Sequence, residues 1–300
     1  MWAQLEWRPS FRFSFTRLKT IFNFGGSVLA SELLSYLVEA ARSLFIGREF
    51  SAAQLSYYDR GQTYPATLMR GIYDTVGGVL LPVFSKLQKE PEKLANECAR
   101  YLGLVFYIVT PAFVIFAASS EAVLVLLLTE KWQPAAVFCT LFCIAQIFQP
   151  IQGVFRQTIY AVGRSSIILR IEVVKDVFSI VLLICAIPFG PLGIAVSFVV
   201  TMAISAVLMG CGAMKLLPLS FRMVANSTWK TVLTSALTFV VLWCLNGLIS
   251  NLLARLIAQV LLGIGLYLAL SAVIRDRNLA FFLSIVRGKL AKTKGVGGNE

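Results

Sequence analysis

There is no histidine in the 300 residues, and only 15 carboxylates stand against 27 lysines and arginines. The first absence removes the commonest general base and metal ligand. There is also no glycine-rich phosphate loop and no nucleophile set beside a base, so the residues offer no catalytic set and no enzyme is expected. Charge is scarce as well. Asp, Glu, Lys and Arg make up 14% of the chain, where an ordinary soluble domain carries about 25%. The six cysteines (98, 139, 143, 185, 211 and 244) fall in or beside apolar runs, which predicts free thiols rather than a disulfide framework. Cys139 and Cys143 share a helical face. With no histidine or nearby acid they read as a packed apolar pair, so neither metal nor cofactor is expected. The opening MWAQLEWRPSFRFSFTRLK has no short apolar core before a small-residue cleavage site, so no cleaved leader is expected there.

What the chain has in excess is hydrocarbon. Hydrophobic residues make up 58% of it and the mean hydropathy is +0.78. That leaves too little polar surface to face water, and it predicts an all-α integral membrane protein whose first partner is the lipid bilayer. A net charge of +12 could suggest nucleic acid. The basic residues, however, are scattered between apolar runs, as in loops beside a membrane, so no nucleic-acid partner is expected.

A spanning helix needs about 20 largely apolar residues. By that measure about eight transmembrane helices are expected, near 20–46, 57–85, 97–119, 134–160, 167–187, 191–214, 228–249 and 252–274. The apolar segment 121–129 is too short to span and is expected at the interface, or as an extension of the third helix around a break. The domain reading is a cytoplasmic lead-in at 1–19, a helical bundle at 20–275 and a basic cytoplasmic tail at 276–300. Placing the N-terminus inside puts 21 of the 27 lysines and arginines on the inner face and five on the outer, with Arg70 inside a helix; both termini are then cytoplasmic. Pro188 to Gly193 predicts a tight outer turn. In the tail, Leu279, Phe282, Ile285, Val286 and Leu290 alternate with Arg287, Lys289, Lys292 and Lys294. That pattern suits an interfacial amphipathic helix or a solvated basic tail.

Ionisable residues inside such helices are costly, at about 2.5–3.5 kcal/mol each on insertion scales, and by default mark function. Arg70 and Asp74 are four residues apart and share a helical face that Thr63 and Thr67 extend one way and Gly77 and Gly78 the other. The stripe reads as the wall of a polar cavity, or as an internal salt bridge that fixes packing. In the first helix Ser31, Glu32, Ser35, Glu39 and Arg42 put their polarity largely on one side. Glu32 and Glu39, with Asp74, are candidates for coupling to a proton or sodium ion; pairing of the glutamates with Arg42 or Arg70 is the alternative. The fourth helix carries Gln146, Gln149, Gln152 and Arg156, with a kink expected at Pro150. Glu172 and Asp176 read as lying near the cytoplasmic mouth, and Arg164 and Arg170 as snorkelling. The candidate cavity residues are Arg70, Asp74, Glu32, Glu39, Arg42, Arg60, Gln149 and Arg156.

Four short patterns carry a family resemblance. L-x-Y-Y-x-R-x-Q runs from Leu55 to Gln62, followed by Pro65 and by V-F-S-K-x-Q from Val83 to Gln88. W-R-P-S-F-R-F-S-F runs from Trp7 to Phe15, and E-K-W-Q-P-A from Glu130 to Ala135. Together they resemble the polysaccharide transporter family: flippases for lipid-linked oligosaccharide and exopolysaccharide within the multidrug/oligosaccharidyl-lipid/polysaccharide superfamily. The resemblance extends over nearly the whole chain and implies the second lobe, the C-terminal portion, of a colanic-acid-exporter-like member. It implies two helical bundles rocking about a central cavity in the bacterial inner membrane, with an undecaprenyl-linked oligosaccharide as substrate. The partner would be the missing N-terminal lobe, or polysaccharide assembly proteins. An arginine-lined cavity suits a pyrophosphate-linked sugar, because guanidinium grips phosphate oxygens in a fork that lysine cannot reproduce. Two alternatives stay open: a small-solute or multidrug antiporter of the same superfamily, and a non-transporting remnant or assembly subunit.

Overall fold

Helix α1 (Phe15–Glu49) and helix α2 (Ala52–Lys86) each run 35 residues and form a hairpin. They come from a computed structural model that describes residues 15–279 and 281, in which every described regular element is a helix. Ser51 sets the start of α2. Its hydroxyl accepts from the Gln54 amide while the Gln54 side chain accepts from the Ser51 amide, a reciprocal cap that begins the helix five residues before the expected 57. Pro65 and Pro82 lie inside α2 without ending it. The lead-in pattern from Trp7 to Ser14 and the tail from 282 onward lie outside the described residues.

Helix α3 (Pro91–Leu128) opens with proline in its first turn and runs 38 residues without a break. Segment 121–128 is therefore not separated from the third helix by a break: Ala122 and Leu124 are buried and continue the helix's packed face. At about 57 Å, the helix exceeds the ~30 Å hydrocarbon layer, so its ends have room beyond it. The expected helix at 134–160 is two helices, α4 (Ala135–Gln146) and α5 (Gln149–Ala161). The chain tightens between them, with Ile147 and Phe148 amides bonding to Ile144 and Ala145 carbonyls at 3.2 Å. The break precedes Pro150 because proline, lacking an N–H, fits the first turn of α5. Helix α6 (Ser165–Ala186) leads through a single 3₁₀ turn to α7 (Gly190–Leu216), where Gly190 takes φ +73° as the tight turn requires. Helices α8 (Phe221–Cys244) and α9 (Leu252–Val273) close the order.

Among the described residues, five stretches are long and apolar enough to cross a membrane: Pro91–Leu128, Ala135–Ala161, Ser165–Leu216, Phe221–Gly247 and Leu252–Val273. The third contains both α6 and α7. Helix α2 has the length but misses the apolarity, because it carries the charged face described below. The count of eight is therefore not established by length and composition.

The core centres on α3. Its Leu94, Cys98, Leu102 and Phe113 cluster with Phe84 of α2, Phe155 and Ile159 of α5, and Met209 of α7. A smaller cluster at the α1–α2 turn joins Ile46, Tyr58, Phe142, Leu183 and Ile194. The α8–α9 hairpin packs on α3. Lipid tails are as apolar as leucine, so helices in a bilayer gain their association from close packing and polar contacts. Gln152 supplies one such contact, bridging α5 to α7 by donating to the Met202 carbonyl at 3.1 Å and accepting from the Ser205 hydroxyl at 2.9 Å.

Candidate functional site, an ion network between two parting helices

The polar residues of α1 recur every three or four positions and meet a matching row on α6, the two helices running parallel. Arg42, 1% exposed, donates to Glu39 at 3.1 Å and to the Ser179 hydroxyl at 2.8 Å, and stacks 4.9 Å over the Phe198 ring. Gln62 of α2 donates to the other Glu39 oxygen at 2.6 Å. The choice left open for Glu39 thus falls on Arg42, not Arg70.

One tier along, Lys175 donates to Ser35 at 2.9 Å and pairs with Asp176 at 3.0 Å and with Glu172, so its ammonium meets three oxygens. The Ser35 hydroxyl lies 3.3 Å from Glu172 and 3.5 Å from Asp176. Glu172, 2% exposed, turns its second oxygen to Arg156 of α5, and Arg156 reaches back to Glu32 of α1 at 3.2 Å. Three cations thus face four carboxylates. The members differ in exposure: Glu32 is 64% exposed and Arg156 16%.

Arg156 sits where α1 and α2 part. The two helices touch near their turn, where Leu55 lies against Gly47 and Gln62 against Glu39. Beyond that, α1 stays on α6, while α2 packs on α4 and α5. Tyr73 of α2 and Tyr160 of α5 both lie close enough to interact with the Arg156 guanidinium. The Nε atoms of Arg42 and Arg156 are buried without a hydrogen-bond partner.

The structure therefore brings Glu32, Glu39, Arg42 and Arg156 into one network and leaves four candidates outside it. Arg70 and Asp74 are exposed on α2, and no ion pair joins them among the described residues. Their stripe continues through exposed Thr63, Thr67, Gly71 and Gly78, so one face of α2 is polar and uncovered. Gln149 is half-buried at the start of α5, beside Tyr73 and Gly77 of α2. Arg60 lies 5.7 Å over the Trp132 ring. Ser31's side chain is not among those described. Glu172 and Asp176, read as lying near the cytoplasmic mouth, are both buried on α6 and join this network. Glu172, Lys175 and Asp176 were missing from the candidate list. The signal was there, as two acids flanking a lysine at helical spacing inside an apolar helix.

The two best motifs of the sequence are one joint in space. Tyr57 meets Trp132 edge-on with ring centroids 6.0 Å apart, and Tyr58 meets Phe138 at 5.9 Å and Phe142 at 5.1 Å. Gly61 lies so near α4 that a Cβ there would come within 2.5 Å of the Phe138 Cβ and 3.1 Å of the Ala135 carbonyl.

Comparison with known proteins bears on this arrangement. A family described as "Polysaccharide biosynthesis protein" matches residues 1–137. The lipopolysaccharide biosynthesis protein WzxC of Escherichia coli K12 is 24% identical over 250 residues, 83% of this chain and 51% of its own length. An uncharacterized membrane protein in the cps region of Klebsiella pneumoniae is 24% identical over 177 residues, 59% of this chain and 36% of its own. The resemblance to the polysaccharide transporter family holds. The fold agrees: the lipid II flippase MurJ, inward closed, superposes with a TM-score of 0.64 at 13% identity, covering 88% of this chain and 56% of MurJ. The chain is thus an all-helical, multi-pass membrane protein that spans about half the length of WzxC and of MurJ.

Proposed function

We propose that this chain is one lobe of a flippase that moves lipid-linked oligosaccharide or exopolysaccharide units across the bacterial inner membrane, with both termini cytoplasmic. The observation that carries the reading is Arg156, a nearly buried guanidinium set between two parting helices and held by the largely exposed Glu32. Glu32 acts as a placeholder. An incoming phosphate displaces it and takes the guanidinium fork, while Glu172 keeps Arg156 anchored from behind. The polar face of α2, with Arg60, Arg70 and Asp74, forms an adjoining wall that a second lobe covers. Ion coupling belongs to the surplus carboxylate of the network, with largely exposed Glu32 and partly exposed Glu39 as the members a proton or sodium ion reaches first. The lobe does no covalent chemistry; it binds, shields and releases.

The test is complementation of a flippase-null strain by the intact transporter containing this half. Arg156→Ala should abolish growth or polymer export while the protein stays in the membrane at normal level. Full activity in that variant would sink the reading.

A further inference from the structure

At the end of the bundle opposite the α1–α2 turn, the start of α3, the first turns of α8 and the exit of α9 line a half-open cavity of about 600 Å³. We infer that it binds the phosphate of an anionic membrane lipid. Its lining includes Arg100, Lys230 and Arg277, with the side-chain amides of Asn96 and Asn226 between them. The one carboxylate among the described lining residues, Asp276, is buried and turned inward, accepting from the Thr231 hydroxyl at 3.3 Å and the Asn278 amide at 2.9 Å. Lys230 spends two donors on the carbonyls of Ile274 and Arg275, at 3.1 and 3.0 Å, which fixes its ammonium at the cavity wall with a third donor to give. Arg100 is fixed too, stacked 4.0 Å over the Phe281 ring and bonded to Glu97 at 3.2 Å. Positive charge is therefore held in place around a half-open, amide-lined cup, which is what a phosphodiester requires.

The surroundings select a lipid over a soluble anion. Trp229 lines the cavity and is half-exposed, and the next turns outward expose Val232, Leu233 and Val273 to the apolar side. A polar cup with an indole at its rim and an apolar skirt below matches a headgroup above its acyl chains. The turns at this end also carry Lys89, Arg164, Lys215 and Arg275, so the field around the cup is positive. This inference does not depend on the transport reading.

The experiment uses the full chain in mixed micelles and reads the tryptophan fluorescence quenched by dibrominated phosphatidylglycerol against dibrominated phosphatidylcholine. The Trp229 signal is isolated by difference from Trp229→Phe. Phosphatidylglycerol should be preferred by about tenfold at that position, and Arg100→Gln/Arg277→Gln should bring the preference close to parity. Arg100→Lys/Arg277→Lys, with the same charge and the same fold, should keep most of it. No preference in the natural chain, or one unchanged in the glutamine variant, overturns the assignment. So does a preference that disappears when Arg287, Lys289, Lys292 and Lys294 are neutralised instead, since the basic tail would then be the binder. Displacement by millimolar inorganic phosphate would make the cup a site for soluble anions and overturn it as well.

Discussion

Two carboxylates hold Arg156, and they are not equivalent. Glu172 is almost fully buried and shared with Lys175, while Glu32 stands largely in the open. Removing one member of a buried pair strands the other, at about 3–5 kcal/mol. Glu172→Ala should therefore lower the detergent melting temperature by several degrees, whereas Glu32→Ala should leave it almost unchanged. A double-mutant cycle on Arg156 and Glu172 should return coupling of roughly 0.5–3 kcal/mol. If Glu32→Ala destabilises as much as Glu172→Ala, Glu32 is a structural partner and not a displaceable one. Arg156→Lys separates charge from shape. It keeps the charge but cannot span two oxygens in a fork, so transport should fall at least tenfold while the melt holds. Much of this site was legible from sequence, because a charge inside an apolar run is conspicuous: Glu32, Glu39, Arg42 and Arg156 were all found that way. What one helix cannot show is which charge on another helix faces it. Arg70 and Asp74 have pairing distance on paper, yet the structure leaves both exposed and apart.

At the scale of elements, the joint between α2 and α4 explains why two separated motifs occur together. One supplies Tyr57, Tyr58, Arg60 and Gly61, the other Trp132 and Ala135, and all meet across one interface. The glycine sets the spacing. A Cβ at position 61 would collide with the α4 backbone as well as with a side chain, so the helices would have to separate. Gly61→Val should therefore destabilise the protein by a few kcal/mol in a thermal melt, and Gly78→Val, on the same helix where nothing lies within 4 Å, should not. Equal losses in the two variants would mean that backbone propensity, not the joint, is responsible. The helices themselves were largely readable, since hydrophobic runs are local signals. The division of α4 from α5 and the continuity of α3 were harder. Proline stops one helix and starts the next with the same missing N–H, and only the packing decides which.

For the whole molecule, the decisive feature is the uncovered polar face of α2. Thr63, Thr67, Arg70 and Asp74 are exposed along a helix whose other side is packed on α4 and α5. Against lipid, each charge would cost about 2.5–3.5 kcal/mol on the insertion scale. A bundle that stopped here would carry that cost with nothing to offset it, so the face calls for a polar partner. The chain spans about half the length of WzxC and MurJ, and a second lobe is the polar partner proposed for this face. Insertion does not need it, because each helix satisfies its own backbone hydrogen bonds and the apolar stretches are long enough. Alternating access does, because two bodies must rock against each other around the site. Residues 1–300 alone should therefore enter the membrane and fold, but not move lipid-linked sugar. Supplying the other lobe from a separate gene should restore part of the movement. The measurement is purified protein in liposomes with a fluorescent lipid-linked oligosaccharide, scored by the fraction that becomes accessible to a quencher on the far side. Movement above the protein-free rate by this chain alone would defeat the two-lobe account. It would point to a pair of copies covering each other's α2 faces, which crosslinking through cysteines placed at Thr67 would then detect.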